Sequence, residues 1–397
     1  MIERILNKSL EYEDFTAKTL AEIVKIKSLS CCESEVIDKI VEILSGCGVK
    51  DVRRDGLGSL IARIGSGDKM IAFDAHIDTV DTGDIAQWDF DPFCGKISDG
   101  KVFGRGTTDQ KGGAAAMITA ARILKEIEAE LPFTVIFTFT VMEEDCDGLC
   151  WDYLINEEKI VPDFAVITEP TNLHVYRGHR GRMEMAILVK GVSAHGSAPE
   201  RGDNAVYKAS NIALEIEKLN DRLATDDFLG KGTVAMTKIE SESPSLCAVP
   251  DICRMHLDRR LTWGETKRSA LAEIEAMLPA GSSVEVPKYD QTGYMGKAYP
   301  TEAFFPSWKT PIDHPLTKAG IAVATEVLGK SPVVDKWVFS TNGVSIAGRH
   351  GIPAIGFGPG NEVAAHAPNE MVSIDHLRKA SGFYAALPFF LEKELTK

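Results

Sequence analysis

The sequence predicts an α/β chain: a mixed, largely parallel sheet carrying the larger unit, with a ferredoxin-like α+β segment inserted into it. Two observations carry that expectation. Through the first part of the chain, short β-branched and aromatic runs alternate with stretches of helical period, which is the pattern of a sheet with substantial parallel pairing. From about Arg182 the texture changes to strand, helix, strand, strand, helix, strand, the order of a ferredoxin-like unit.

Residues 13–27 place Phe15, Leu20, Ile23 and Val24 on one helical face, and residues 33–44 form a second helix. Short strands follow at 59–64 and 69–74. After the glycine-rich turn GRGTTDQKGG, residues 114–130 read as a long helix with Met117, Ala121 and Leu124 as its core stripe. FTVIFTFTVM (133–142) is a buried central strand by its β-branched and aromatic content, and 163–168 is another. RMEMAILVKG opens the insertion as an alternating strand. NAVYKASNIALEIEKL, GTVAMTKIES, ICRMHLDRRL, TKRSALAEIEAML and SSVEVPKY complete its helix and strand order. A helix at 314–328 and the strand of GIPAIGFGPG then return to the first unit. The boundaries read this way are 1–180 and 290–397 for the larger unit and 181–289 for the insertion.

At 397 residues the chain is long enough for two or three domains, and 44% apolar with 26% charged residues is ordinary globular composition. The net charge of −14 and the lack of a basic cluster exclude nucleic acid as a partner, because phosphate neutralisation dominates that binding. Glu3, Arg4 and Lys8 interrupt the first apolar pattern and no run reaches membrane length, so neither a signal core nor a membrane partner is expected. The eight cysteines show no C-x-x-C pairs and read as free thiols of a reducing, cytoplasmic compartment. Cys146, set among acids, is not expected to be reactive.

Polar residues collect at the ends of apolar strands. FDAHIDTVDTGD (73–84) leaves its strand with a histidine and four carboxylates. His76 and Asp78 are two apart and share a strand face; Asp74 reads as structural, Asp81 and Asp84 as solvated turn residues. Asp109 either caps the helix that starts near Gly112 or joins the same site. The GRGTTDQKGG stretch is not a phosphate loop, since Lys111 precedes its glycines and no Ser or Thr follows. Glu143 and Glu144 end the central strand as adjacent carboxylates, which repel unless cations or protons intervene. Glu169 ends FAVIT in the same style, and His366 follows the last glycine-rich loop. Two imidazoles with three carboxylates suit divalent ions, zinc first, with cobalt or manganese as alternatives.

HIDTVDTGD, GRGTTDQKGG, VMEEDCDG, TEP, GVSAHGSAP and GFGPG followed by AAHAPNE, in that order, resemble the dinuclear-zinc deacylase and exopeptidase family of acetylornithine deacetylase, succinyl-diaminopimelate desuccinylase and carboxypeptidase G. YRGHRGRME, SLCAVPD and LDRRLTWGET are most similar to its selenium-metabolism-linked hydrolase branch. The resemblance implies two divalent metal ions per chain in a zinc-exopeptidase-like catalytic domain. It assigns His76 and Glu169 to one ion, Glu144 and His366 to the other, and Asp109 to both. It makes Asp78 the orienting partner of His76, Glu143 the general base, and His195 a residue that reaches the partner subunit's site and stabilises the oxyanion. Asn204 and Arg260 match positions near the substrate carboxylate, with Arg259 the rival of Arg260. A homodimer through the inserted lid domain follows from the same resemblance.

The implied activity is hydrolysis of a small N-acyl, N-carbamoyl or peptidyl amino-acid-like substrate. A dipeptidase or aminopeptidase proper is the enzyme alternative, separated by a need for a free amine. A metal-binding dimerisation protein without catalysis is the alternative from another class, disfavoured because neither Glu143 nor a ligand is missing. Two departures touch specificity: FSTNG (339–343) stands where many relatives carry an aspartate, placing an amide or hydroxyl at substrate contacts, and Cys247 stands where many have asparagine.

Overall fold

The computed structural model describes residues 1–397, residue 129 by its backbone alone. Its larger sheet has nine strands. Met70–His76 lies at its centre, parallel to Thr134–Thr140 on one side and to Phe164–Ile167 on the other; Ala354–Gly356 continues parallel to the latter. Asp51–Arg54 and Leu60–Ile64 extend one side with antiparallel pairing, and Val175–His179, Trp308–Lys309 and Val334–Trp337 complete the other.

The central strands are buried on both faces, so they read as continuous apolar runs whose alternate residues go to opposite cores. Ile71, Phe73 and Ala75, with Val135, Phe137 and Phe139, pack under the helices Glu13–Val24, Lys111–Glu126 and Ile374–Leu395. Ala72, Ile136, Ala165 and Ile167 face the other way, toward Trp151, Trp308 and Trp337. Helices Ile2–Glu11, Leu149–Asn156 and Ile374–Leu395, the last with Pro388 inside it, lie outside the sequence expectation. So does a small sheet of Lys96–Ser98, Lys101–Phe103 and Met371–Ser373.

The smaller sheet is antiparallel, in the order Thr233–Glu242, Ile252–Leu261, Gly181–Lys190, Ser283–Glu285. Helices Ala205–Arg222 and Lys267–Glu275 share its buried face with Met183, Met185, Ile187 and Val189. Phe304–Phe305 also joins this sheet, with Phe305 opposite Arg182, and Trp308–Lys309 then rejoins the larger sheet, later than residue 290. Ahead of Phe304 the chain already packs on the larger unit, for Tyr294 donates to the Gly58 carbonyl at 2.7 Å. The outgoing and returning passages are pinned side by side: the Trp308 indole donates to His179 Nε2 at 2.8 Å. Among the described residues no helix is long and apolar enough to cross a membrane.

Candidate metal centre

The parallel strands of the larger sheet deliver their carboxyl ends to one place, the usual ligand position in such sheets. His76 is the last residue of its strand; Glu143 and Glu144 follow the neighbouring strand on one side, and Glu169 follows the one on the other. Asp109 enters from the loop before helix Lys111–Glu126, and His366 from the loop after Ala354–Gly356.

His76 Nε2 lies 3.0 Å from Asp109 Oδ1, 3.4 Å from Glu169 and 3.7 Å from Glu143. His366 Nε2 lies 3.0 Å from Glu144 and 3.3 Å from Asp109 Oδ2. The two oxygens of Asp109 thus face different histidines. Two overlapping sets, His76 with Glu143 and Glu169, and His76 with Asp109 and Glu144, hold their ligand atoms within 4.8 Å of one another. His76 Nδ1 has its shorter contact, 3.0 Å, with the Asp78 backbone carbonyl, and the Asp78 carboxylate stands at 3.4 Å. That carboxylate is held by Ser30 Oγ at 2.7 Å and the Glu144 N–H at 3.1 Å.

So many buried acids perturb one another. Burial, then the Asp109 charge, pushes Glu169 up to about 8 and Glu144 up to about 7. Burial drives Glu143 well above the usual carboxylate range. Burial alone would lower His76, but the charges of Glu143 and Glu169 lift it well above its ordinary value. Hydrogen bonds to Asp109 and Glu144 raise His366 to about 10. Asp109 moves down despite its burial, because both histidines donate to it. These shifts are what carboxylates and imidazoles buried together impose on one another.

Sequence reasoning missed the groups that hold this cluster. Glu370 is fully buried and accepts from the N–H groups of Gly106, Thr108 and Asp109 at 2.9, 2.7 and 3.0 Å. Its ion-pair partner Arg105, at 2.7 Å, also donates to the carbonyls of Ala367 and His366 at 3.3 and 3.4 Å. One buried pair thereby ties the Asp109 loop to the His366 loop. Gln110 donates to Glu169 at 2.6 Å and accepts from Thr168 Oγ1 at 2.9 Å. The glycines of GRGTTDQKGG serve packing: a Cβ at Gly113 would lie 2.3 Å from Thr168 Oγ1, where the helix abuts the strand end carrying Glu169. Lys111 is buried and donates to the carbonyls of Ile23 and Ile26 at 3.1 and 2.8 Å. Arg105 lies in GRGTTDQKGG and Glu370 ends AAHAPNE, but their pairing joins stretches 265 residues apart.

A cleft of about 300 Å³ opens beside the cluster, and Arg260 lines it with Arg182, Asp147, Phe339, Ser340 and Glu362. Arg259 points to the other face of its strand, where it is buried in ion pairs with Glu265 and Glu273. His195 and Asn204 are not brought to the cleft; both line a separate surface cavity on the smaller unit, together with Cys247. Asn204 there caps helix Ala205–Arg222. Of the amide and hydroxyls of FSTNG, the Ser340 hydroxyl lines the cleft beside Phe339, while the Asn342 amide is buried, donating to Asp74 at 2.8 Å and accepting from the Gly148 N–H at 2.9 Å. Asp74 is fully buried and also accepts from Thr138, whereas Asp84 caps a short exposed 3₁₀ turn. Cys146 is buried and its thiol is pushed up by burial.

Residues 72–388 match the model of Peptidase family M20/M25/M40. The chain is 50% identical over 387 residues to the "Uncharacterized protein YgeY" of Escherichia coli (strain K12), covering 97% of this chain and 96% of that one. It is 30% identical over 394 residues to a probable succinyl-diaminopimelate desuccinylase of Staphylococcus epidermidis, covering 90% and 93%. Among solved structures it is similar to the Bacillus subtilis YXEP protein, described as a dinuclear metal binding peptidase from the M20 family, with a TM-score of 0.72 and 18% identity over 96% of this chain and 99% of that one.

Proposed function

The chain belongs to peptidase family M20/M25/M40 and is a metallo-hydrolase of peptidase or deacylase type; from that premise we propose that it cleaves the amide bond of a small N-acyl, N-carbamoyl or peptidyl amino-acid-like substrate. The observation that carries the reading is the bridging disposition of Asp109, one oxygen toward each histidine, with Glu143 beside it.

The donor set fits a pair of divalent ions. Glu143 Oε1 and Glu169 Oε2 are buried with no hydrogen-bond partner, a costly state for carboxylates unless a cation supplies the counter-charge. His76 and Glu169 would hold one ion and Glu144 and His366 the other, with Asp109 shared. Nitrogen and carboxylate donors in this number suit zinc, with cobalt or manganese as alternatives. When bound, two such ions polarise a carbonyl and bring the pKa of a shared water to about 7.

The protein's own residues do the rest. Glu143 takes the proton of the attacking water at its carboxylate and returns it to the leaving nitrogen. Asp78 and its carbonyl hold the His76 ring in one orientation. Arg260, which lines the cleft, offers its guanidinium to the substrate's carboxylate. His195, exposed and remote from the cleft of its own chain, acts on the partner's site in a homodimer paired through the smaller unit. Asn204, which lines the same surface cavity as His195, would act near the substrate's carboxylate from there. The eight unpaired cysteines fit a cytoplasmic location.

Purified protein is expected to hold close to two divalent ions per chain, and a chelator to abolish hydrolysis that zinc, cobalt or manganese restores. Glu143→Gln is expected to keep the metal and lose about 10²–10⁴-fold in turnover. Native protein that binds no divalent ion yet hydrolyses the substrate overturns the mechanism.

A further inference from the structure

Glu33 is a fully buried carboxylate outside the proposed metal set. It directly precedes helix Ser34–Gly46 but makes no side-chain cap bond to it. Its Oε1 accepts instead from the N–H groups of Cys31 and Met142, both at 3.0 Å, and its Oε2 is buried without a hydrogen-bond partner. The contact to Met142 crosses 109 residues of chain to reach the turn that carries the proposed base. Met142 sits there at φ +62°, and Cys31 at φ +67°. A residue with a Cβ enters this left-handed region only where its surroundings impose it. Met142 is itself fully buried in the main core, which leaves the turn little freedom to relax outward.

Glu143 needs such a hold, because its own carboxylate is not aimed by a neighbouring donor: Oε1 has no hydrogen-bond partner, and Oε2 lies 3.7 Å from His76 Nε2. Its direction is therefore set by its main chain. The amides on either side of it are both taken by buried carboxylates, the Met142 N–H by Glu33 and the Glu144 N–H by Asp78 at 3.1 Å. One short segment governs both. Ser30 donates to Asp78 at 2.7 Å, Ser28 Oγ donates to the Ile77 carbonyl at 2.7 Å, and the Ser28 carbonyl accepts from the Thr79 N–H at 2.8 Å. Residues 28–33 thus fix the turn at Glu143 against the strand end that carries His76.

We propose that Glu33 is the positioning residue of Glu143: by accepting the Met142 N–H it fixes the left-handed turn that aims the Glu143 carboxylate at the attacking water. The inference rests on the amidohydrolase reading and adds to it a residue that acts only through the backbone of another. Misplacement of a reacting group by about 1 Å can cost about 10²-fold in rate, so a hold of this kind acts on turnover before it acts on binding. Burial, then the Asp78 charge, pushes Glu33 up to about 8. At neutral pH glutamine therefore reproduces its charge as well as its shape.

The test compares Glu33→Gln, which keeps an acceptor oxygen, with Glu33→Met, which keeps the length and removes both oxygens. Kinetics are measured on whichever of a panel of N-acetyl, N-succinyl and N-carbamoyl amino acids and dipeptides the wild type hydrolyses. Peptide-resolved hydrogen exchange is measured on the metal-loaded full chain. Glu33→Met is expected to lose about 10²-fold in kcat, with KM within about twofold and metal content unchanged. It is also expected to speed exchange of the peptide covering 141–145 about tenfold, while 181–190 in the smaller unit keeps its rate. Glu33→Gln is expected to recover both to within about threefold of wild type. Glu33→Asp, one methylene short of the Met142 N–H, is expected to fall between them and carries the comparison if Glu33→Met does not fold. Wild-type kcat in Glu33→Met (or in Glu33→Asp where that variant replaces it), an equal loss in Glu33→Gln, or exchange that quickens as much at 181–190 as at 141–145 overturns the positioning role. If the wild type hydrolyses no member of the panel while exchange at 141–145 still responds to Glu33→Met and not to Glu33→Gln, the amidohydrolase reading falls and the hold on the Glu143 turn stands.

Discussion

Glu370→Ala tests whether one buried ion pair holds the cluster together. The carboxylate it removes accepts three backbone N–H groups and pairs with Arg105, all inside the fold. Deleting one partner of a buried pair costs about 3–5 kcal/mol because the other charge is stranded. Arg105, 2% exposed, cannot reach water without dragging the 366–367 backbone with it. Against a typical total of about 5–15 kcal/mol, that loss leaves a measurable folded population. Glu370→Gln retains the shape and one acceptor oxygen and is expected to lose about 2 kcal/mol. Urea titration gives the stability change, and competition with a chelator gives the metal affinity. The expected result is a graded loss, alanine worse than glutamine, in which metal affinity falls alongside stability because Asp109 and His366 lose their common anchor. A Glu370→Ala protein within about 1 kcal/mol of wild type, holding its metal as tightly, would refute this account of how the site is supported.

Metal-free protein is expected to lose stability as pH rises. Glu144 at about 7, Glu169 at about 8 and His366 at about 10 all bind protons more tightly folded than unfolded, so each contribution is complete below that group's unfolded value, a carboxyl's for the two glutamates and an imidazole's for His366, and disappears as pH passes the folded values. Melting from pH 5 to pH 9 with and without metal checks this; a metal-free melting temperature that climbs with pH contradicts it. Arg259→Met is expected to destabilise the protein by stranding Glu265 and Glu273 while leaving KM nearly unchanged, whereas Arg260→Met is expected to raise KM about tenfold or more with little change in melting temperature. Steady-state kinetics beside thermal melts separates the two. Mixed dimers carrying His195→Ala in one subunit and Glu143→Gln in the other are expected to keep one of two sites, because both changes then fall on the same site; loss of both sites would end the cross-subunit proposal.

Much of the site was legible because its ligand residues terminate strands, and a strand's end is marked by where its apolar run stops. His76, Glu143, Glu144 and Glu169 are all found that way. Asp109 and His366 needed the company of the others, since each sits in a loop with an ordinary reading of its own. The choice between Arg259 and Arg260 follows from strand alternation once the register is known, and sequence alone does not say which face is inward. Arg105 with Glu370, and Asp74 with Asn342, could not be read, because each partnership joins residues far apart in the chain whose separate motifs carry no sign of the other. Helix Ile374–Leu395 was obscured by Pro388, which breaks the usual sequence rule for a helix interior while the packed core around it is retained.

The place where the chain leaves and re-enters the larger sheet has a kinetic meaning. Arg182 and Phe305 are cross-strand partners, so the ends of the intervening segment stand only about 5 Å apart. A long insertion whose ends already meet adds little closure entropy to its host, since that cost grows only with the logarithm of loop length. The smaller unit, whose strands are complete by Phe305, can therefore fold while Ala354–Gly356 and Ile374–Leu395 of the larger one are still being made, and the passage sealed by His179 and Trp308 is the step at which their separate folding histories become one.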